Sequence, residues 1–174
     1  MSPAKRPRAR RRAAARPLLV REAGPLDLDE VVPLRLALLR DETATPGRRL
    51  LHPDAERRAR VIFAKQLRSP REVTLLAESD GAVIGILRVV AAPPSPLHAE
   101  FRHAYLTSAY VVPTARRRGV LRALVAHALA WCEAHGVAEV RLHSAVGNAA
   151  AARAWDALGF GVAEELRRRV LGLR

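Results

Sequence analysis

Residues 110–124, YVVPTARRRGVLRAL, restrict this chain more than any other segment. A β-branched stretch ends at Pro113, and three arginines with Gly119 then lead directly into a helix. Leu121, Leu124, Val125, Ala128, Leu129 and Cys132 recur at helical spacing, which gives one continuous apolar stripe. His135-Gly136 supplies the stop, since glycine suits the left-handed position after a helix. A strand, a basic turn and a helix start are the chemistry of an anion site. The first backbone N–H groups of a helix have no intrahelical partner, and the dipole adds partial positive charge there. Arg116, Arg117 and Arg118 add full charges, and Gly119 exposes backbone. A phosphate-bearing small molecule is the expected guest. A nucleotide P-loop is excluded, because no Gly-Lys-Ser/Thr follows.

Composition narrows the rest. The chain has 174 residues, a length that suits one domain with a good-sized core. Apolar residues make up 49% but aromatics only 4%, so that core is aliphatic. No apolar stretch is long enough to cross a membrane, and the N-terminus lacks the apolar region of a secretory signal. Cys132 is the single cysteine, which rules out an internal disulfide; it reads as core, and a reducing cytoplasm is the expected location. Residues 1–17 carry Lys5 and six arginines with no acid, so they hold +7 of the net +13. This tail is expected to be disordered, and the folded domain to span 18–174. The tail reads as a solubilising extension, with a nucleic-acid arm as the alternative. Arginine outnumbers lysine 28 to two, which looks like the coding bias of a GC-rich, bacterial-like genome.

Along the chain, Leu18–Ala23 reads as a strand and 26–41 as a helix, although Pro33 implies a late start or a kink. Residues 43–51 form a loop, then a helix after Pro53 buries Ala59, Ile62, Phe63 and Leu67. Glu72–Glu78 and Ala82–Ala91 are strands around a Ser79-Asp80-Gly81 turn. A loop at 93–96 precedes a fourth strand over Arg102–Val112. After the helix, a fifth strand covers Val137–Ala145, and Asn148 caps a helix that runs to Leu158. From Phe160 onward a last strand or hairpin is expected. The order is mixed α/β.

Two motifs in this pattern resemble a known family. Arg116-Arg117-Arg118-Gly119-Val120-Leu121 is similar to the Gln/Arg-x-x-Gly-x-Gly/Ala signature of the GCN5-related N-acetyltransferases, the GNAT superfamily. Downstream, Asn148, Ala151, Trp155, Gly159 and Phe160 are similar to its Asn-x-x-Ala-x-x-x-Tyr-x-x-x-Gly-Phe segment. The resemblance covers roughly residues 102–162. It implies a single-domain, mostly antiparallel sheet with splayed parallel strands four and five, flanked by about four helices. It also implies acetyl-CoA as co-substrate. The pantetheine arm would pair with backbone groups of Ala109, Tyr110 and Val111, and the pyrophosphate would sit on the turn and helix start formed by Arg116, Arg117, Arg118, Gly119, Val120, Leu121 and Arg122. Asn148, Ala151 and Trp155 complete the cofactor set that it implies.

Acetyl transfer to an amine needs a neutral nucleophile, a donor for the developing oxyanion, and a proton for the leaving thiolate. His143, on the expected fifth strand, is the leading candidate base, because imidazole ordinarily titrates near neutrality. In some family members a glutamate at the matching position has this role. Tyr105, at a position where other members hold a base, is the weaker candidate, since a phenol ordinarily titrates near ~10. Its alternative is core packing. The family's usual acid is a tyrosine where this chain has Trp155, and an indole N–H donates a hydrogen bond but is no acid. Leu121 replaces the last small residue of the phosphate motif. The histidines share no metal-ligand spacing, so no metal is expected.

The reading is an N-acetyltransferase that moves acetyl from acetyl-CoA to a primary amine of a small molecule, amino acid or peptide, acting as a monomer or homodimer. The acceptor would enter over residues 40–52 and 92–103. There Arg48, Arg49, Arg102, His52 and His103 form a basic rim suited to a carboxylate or phosphate. Alternatives are a low-activity CoA-binding sensor, which Trp155 favours, and a nucleic-acid-associated acetyltransferase guided by the tail.

Overall fold

The structure, a computed structural model, describes residues 17–43, 50–93, 102–167 and 169. Five strands, β1 (Leu19–Glu22), β2 (Glu72–Ser79), β3 (Ala82–Ala91), β4 (His103–Val111) and β5 (Glu139–Leu142), lie side by side in chain order. The first four pair antiparallel, and β5 joins β4 in parallel. Helices α1 (Leu28–Thr43) and α2 (Ala55–Gln66) cover one face, while α3 (Val120–Ala134) covers the other, with residues of α4 (Ala149–Asp156) packed beside it. This is the single-domain mixed sheet expected from the sequence.

β2 and β3 are buried on both faces, which is why they read as nearly continuous apolar runs. Leu75, Ala77, Leu87 and Val89 pack with Ala104, Leu106, Leu124 and Ala128 on the α3 side. Leu76 and Ile86 turn the other way, toward Val31, Val32, Leu36 and Phe63. Asp80 and Gly81 join the two strands with φ of 53° and 78°, the two left-handed residues of a tight hairpin turn. Gly85 has another purpose. A Cβ there would lie 3.0 Å from Val120 Cγ1 and 3.2 Å from Leu124 Cδ1, so its absence lets α3 press onto β3.

Several expectations change. α1 does not start late; it begins at Leu28 and runs through Pro33, which lies on the exposed side. Ile62 is 49% exposed, so α2 buries only Ala59 and Phe63 fully. β5 ends at Leu142 rather than Ala145. No strand forms among the described residues after Phe160. Most of the loops expected at 43–51 and 93–96, and all of the tail but Pro17, fall outside the described residues.

Gly85→Ala is expected to lower stability by about 1–3 kcal/mol through overpacking against α3. Gly147, with nothing within 4 Å of its missing Cβ, is the control: Gly147→Ala shifts the urea midpoint little. Equal midpoints for the two variants would contradict the tight α3–β3 contact.

Candidate functional site

The site begins where two strands part. β4 and β5 pair only from His103–Glu139 to Leu106–Leu142. Beyond that, Thr107–Val111 continues along β3 alone, because β4 has nine residues and β5 four. Arg88 pairs with Thr107 and Ile86 with Tyr110, so Ser108 and Ala109 together face Leu87 as a bulge. Ser108 takes φ 57° to make it. Val112 N–H donates to the Ile84 carbonyl at 3.0 Å. By the alternation of an antiparallel ladder, Val111 and Ala109 then turn their backbone groups to the gap, while Tyr110 turns its own to β3. The Tyr110 ring is buried on the α1 side.

The arginine turn closes one end of this gap, and its three arginines differ. Arg116 Nε donates to the Val111 carbonyl at 2.9 Å, and its Nη2 meets Asp41 Oδ2 at 3.1 Å. Its guanidinium also lies 5.7 Å from the Tyr110 ring centre. Its side chain is therefore a brace between the end of β4 and α1. Arg117 (φ 61°) and Arg118 are exposed, as is Arg122 in the first turn of α3. Gly119 caps that helix at φ 81°, and no side chain bonds the first N–H groups. The first turn holds no acid either, so the free donors and the cations together favour an anion. Leu121 packs against the α3-side core, which commits its side chain away from solvent.

The two candidate bases come together. His143 lies one residue past β5 and is exposed, with its ring stacked on Tyr105 at 5.7 Å and 7°. His103 meets Tyr105 edge-on at 5.3 Å, so three rings form a row along β4 and β5. Arg141, opposite Tyr105 in the ladder, shares their face. Its Nε donates to Glu139 Oε1 at 2.5 Å, and its pKa is raised chiefly by Glu139 and then by Tyr105. A cavity of about 180 Å³ opens beside His103, between Arg71, Arg102 and His135.

Other candidates separate from this row. Trp155 packs into the α3-side core with Phe160, 5.6 Å away and edge-on, on the opposite face from Tyr105. Asn148 Oδ1 accepts from Ala151 N–H at 3.0 Å as the cap of α4. Cys132 is buried, and burial, assisted by Glu133, pushes its thiol pKa up, as suits a core residue. Of the basic rim, His52 pairs with Asp54, Arg102 and His103 flank the cavity, and Arg48 and Arg49 lie outside the described residues. No group of metal ligands occurs among the described residues. Sequence reasoning missed the brace role of Arg116 and the bulge at Ser108, because both depend on partners distant in the chain.

The acetyltransferase (GNAT) family model matches residues 36–160. None of the curated proteins matches by sequence. Among solved structures, a predicted acetyltransferase with acetyl-CoA from Clostridium acetobutylicum is similar, with a TM-score of 0.70 and 19% identity over 88% of this chain and 96% of that one. AAC(6')-Iy, in complex with the bisubstrate analogue CoA-S-monomethyl-acetylneamine, gives 0.71 and 22% over 90% and 99%. A GCN5-related N-acetyltransferase from Ralstonia eutropha gives 0.69 and 23% over 90% and 100%. At these identities the likeness is one of fold.

Arg116→Ala is expected to cost about 0.5–1.5 kcal/mol in urea unfolding, since it removes the hydrogen bond to Val111. Arg117→Gly relieves a left-handed backbone and is expected to stay within about 1 kcal/mol of the parent. The opposite ranking would overturn the division of labour in this turn.

Proposed function

The chain belongs to the acetyltransferase (GNAT) family and is an N-acetyltransferase that uses acetyl-CoA; from that premise we propose that it acetylates a primary amine of a small molecule, amino acid or peptide directly, with His143 as the base. The observation that carries this reading is the stacked Tyr105–His143 pair beside the parted strands. Bound acetyl-CoA supplies the acyl group as an activated thioester.

The residues present suit that ligand. The Val111 N–H and the backbone of Ala109 offer strand edge to the amides of its arm, the Val111 carbonyl being taken by Arg116, and the uncapped start of α3 with Arg117, Arg118 and Arg122 offers donors and charge to its pyrophosphate. Gly119, Val120, Leu121 and the backbone of Arg116 are assigned to the rest of that cradle, and Asn148, Ala151 and Trp155 of the α4 segment to the remainder of the cofactor set. Tyr110 is a spacer whose ring anchors the strand from behind. Positioning of both reactants accounts for much of the acceleration.

His143 takes the amine proton through a ring nitrogen. Its exposure gives that proton a path to water, and the Tyr105 ring fixes the imidazole plane. Tyr105 thereby acts as a positioning residue. Trp155 offers no acid for the departing thiolate, so solvent or the released proton serves.

The test is thiol release from acetyl-CoA over a panel of amines, with aminoglycosides included because they are named for several structural neighbours. Amine-dependent release is expected. His143→Ala should lower kcat by about 100-fold or more with the KM for acetyl-CoA little changed. A His143→Ala enzyme of full kcat would remove the base assignment. Acetyl-CoA binding without release to any amine would favour the sensor reading.

A further inference from the structure

The sheet face that carries Tyr105 and His143 continues onto β3 and β2 with charged side chains where a core is ordinarily apolar. Arg88 stands opposite Thr107 of β4 and Thr74 of β2, on the same face as Ile86. Its Nε donates to Glu72 Oε2 at 2.6 Å, and the two side chains are only 13% and 16% exposed. Arg88 is thus answered by one carboxylate.

Arg35 is not. It reaches from α1 to α2, where its guanidinium lies 4.2 Å from the Phe63 ring centre. One hydrogen bond, 3.3 Å long, goes to the neutral Gln66 Oε1. Among the described residues no carboxylate lies within ion-pair distance of Arg35. Burial, with the like charge of Arg88 in second place, outweighs the pull of the more distant Glu72 and Glu42 and pushes its pKa down to about 10. A desolvated guanidinium with unused donors is costly unless an anion meets it.

Resting on the acetyltransfer reading above, we propose that the acceptor amine carries a carboxylate and that Arg35, flanked by Arg88, binds it. A guanidinium fork matches one carboxylate with two parallel bonds. Arg88 is already paired with Glu72, so among the described residues Arg35 is the one guanidinium of this pair without an ion pair, which suits a monoanion better than a phosphate dianion. From β3 across β4 to β5 is two strand spacings, about 10 Å. That span, taken from Arg88 to the β5 side and shortened by its side chain, fits an amino acid with a short chain between amine and carboxylate. The same cations repel a polyamine.

Two measurements test this. The first compares kcat/KM for 4-aminobutanoate with butylamine, an aminoalkyl phosphate and spermidine. The amino acid is expected to exceed butylamine by about 30-fold, mostly in KM, with the phosphate and spermidine poorer. Arg35→Met, which keeps the stem, should bring that ratio close to one, and Arg35→Lys should keep part of it. The second is calorimetric binding of 4-aminobutanoate to the CoA-loaded protein, expected for the parent and lost in Arg35→Met at unchanged melting temperature. Release with every amine alike, or a preference for spermidine or the phosphate, overturns the carboxylate assignment and leaves acetyl transfer standing. So does a ratio that survives in Arg35→Met. Binding of the amino acid through Arg35 without release from any amine upholds the assignment and sinks the acetyl-transfer reading instead.

Discussion

Gly85 leaves room for Val120 and Leu124 to press α3 directly onto β3, and the position of the arginine turn follows from that contact. With its first residue wedged against the sheet, α3 aims its uncapped N–H groups past the end of β4. The 15-residue helix then runs about 22 Å before the chain turns into β5. β5 is less than half as long as β4, so the second half of β4 is left without a partner on that side. The gap thus follows from unequal strand length, and the bulge at Ser108 and Ala109 bends the free edge along it.

Arginine does several unlike jobs here, and burial separates them. Arg117, Arg118 and Arg122 keep their charge in water around the helix start, free for a ligand. Arg116 is consumed by Val111 and Asp41, Arg141 by Glu139 and Glu164, and Arg88 by Glu72. Among the described residues, Arg35 alone combines a half-buried guanidinium with a neutral side-chain hydrogen-bond partner. A surplus of arginine in the composition therefore says little until each guanidinium's neighbours are known.

Features carried by local periodicity and turn chemistry were legible in the sequence. The stripe of α3, its stop at Gly136, the Asp80-Gly81 hairpin and the Asn148 cap need only nearby residues, and each is present. The rest depends on tertiary contacts. Ile62 has core chemistry, but α1 lies over only part of α2, which leaves it exposed. Pro33 is tolerated because its ring faces solvent, which no local pattern states. Val137–Ala145 has the composition of a long strand, but pairing with β4 ends at Leu142. His143 and Tyr105 were legible separately, each from its expected strand. Their stacking, and the place of Arg88 on the same face, required the register of β3, β4 and β5.

If the free edge of β4 and the start of α3 form one ligand site, CoA covers both at once, and amide hydrogen exchange of the full chain with and without CoA reads this out. Slowed exchange is expected at Ala109, Val111, Val120, Leu121 and Arg122, with β1 and β2 unchanged. CoA binding without protection at these amides, or with protection centred elsewhere, would contradict it.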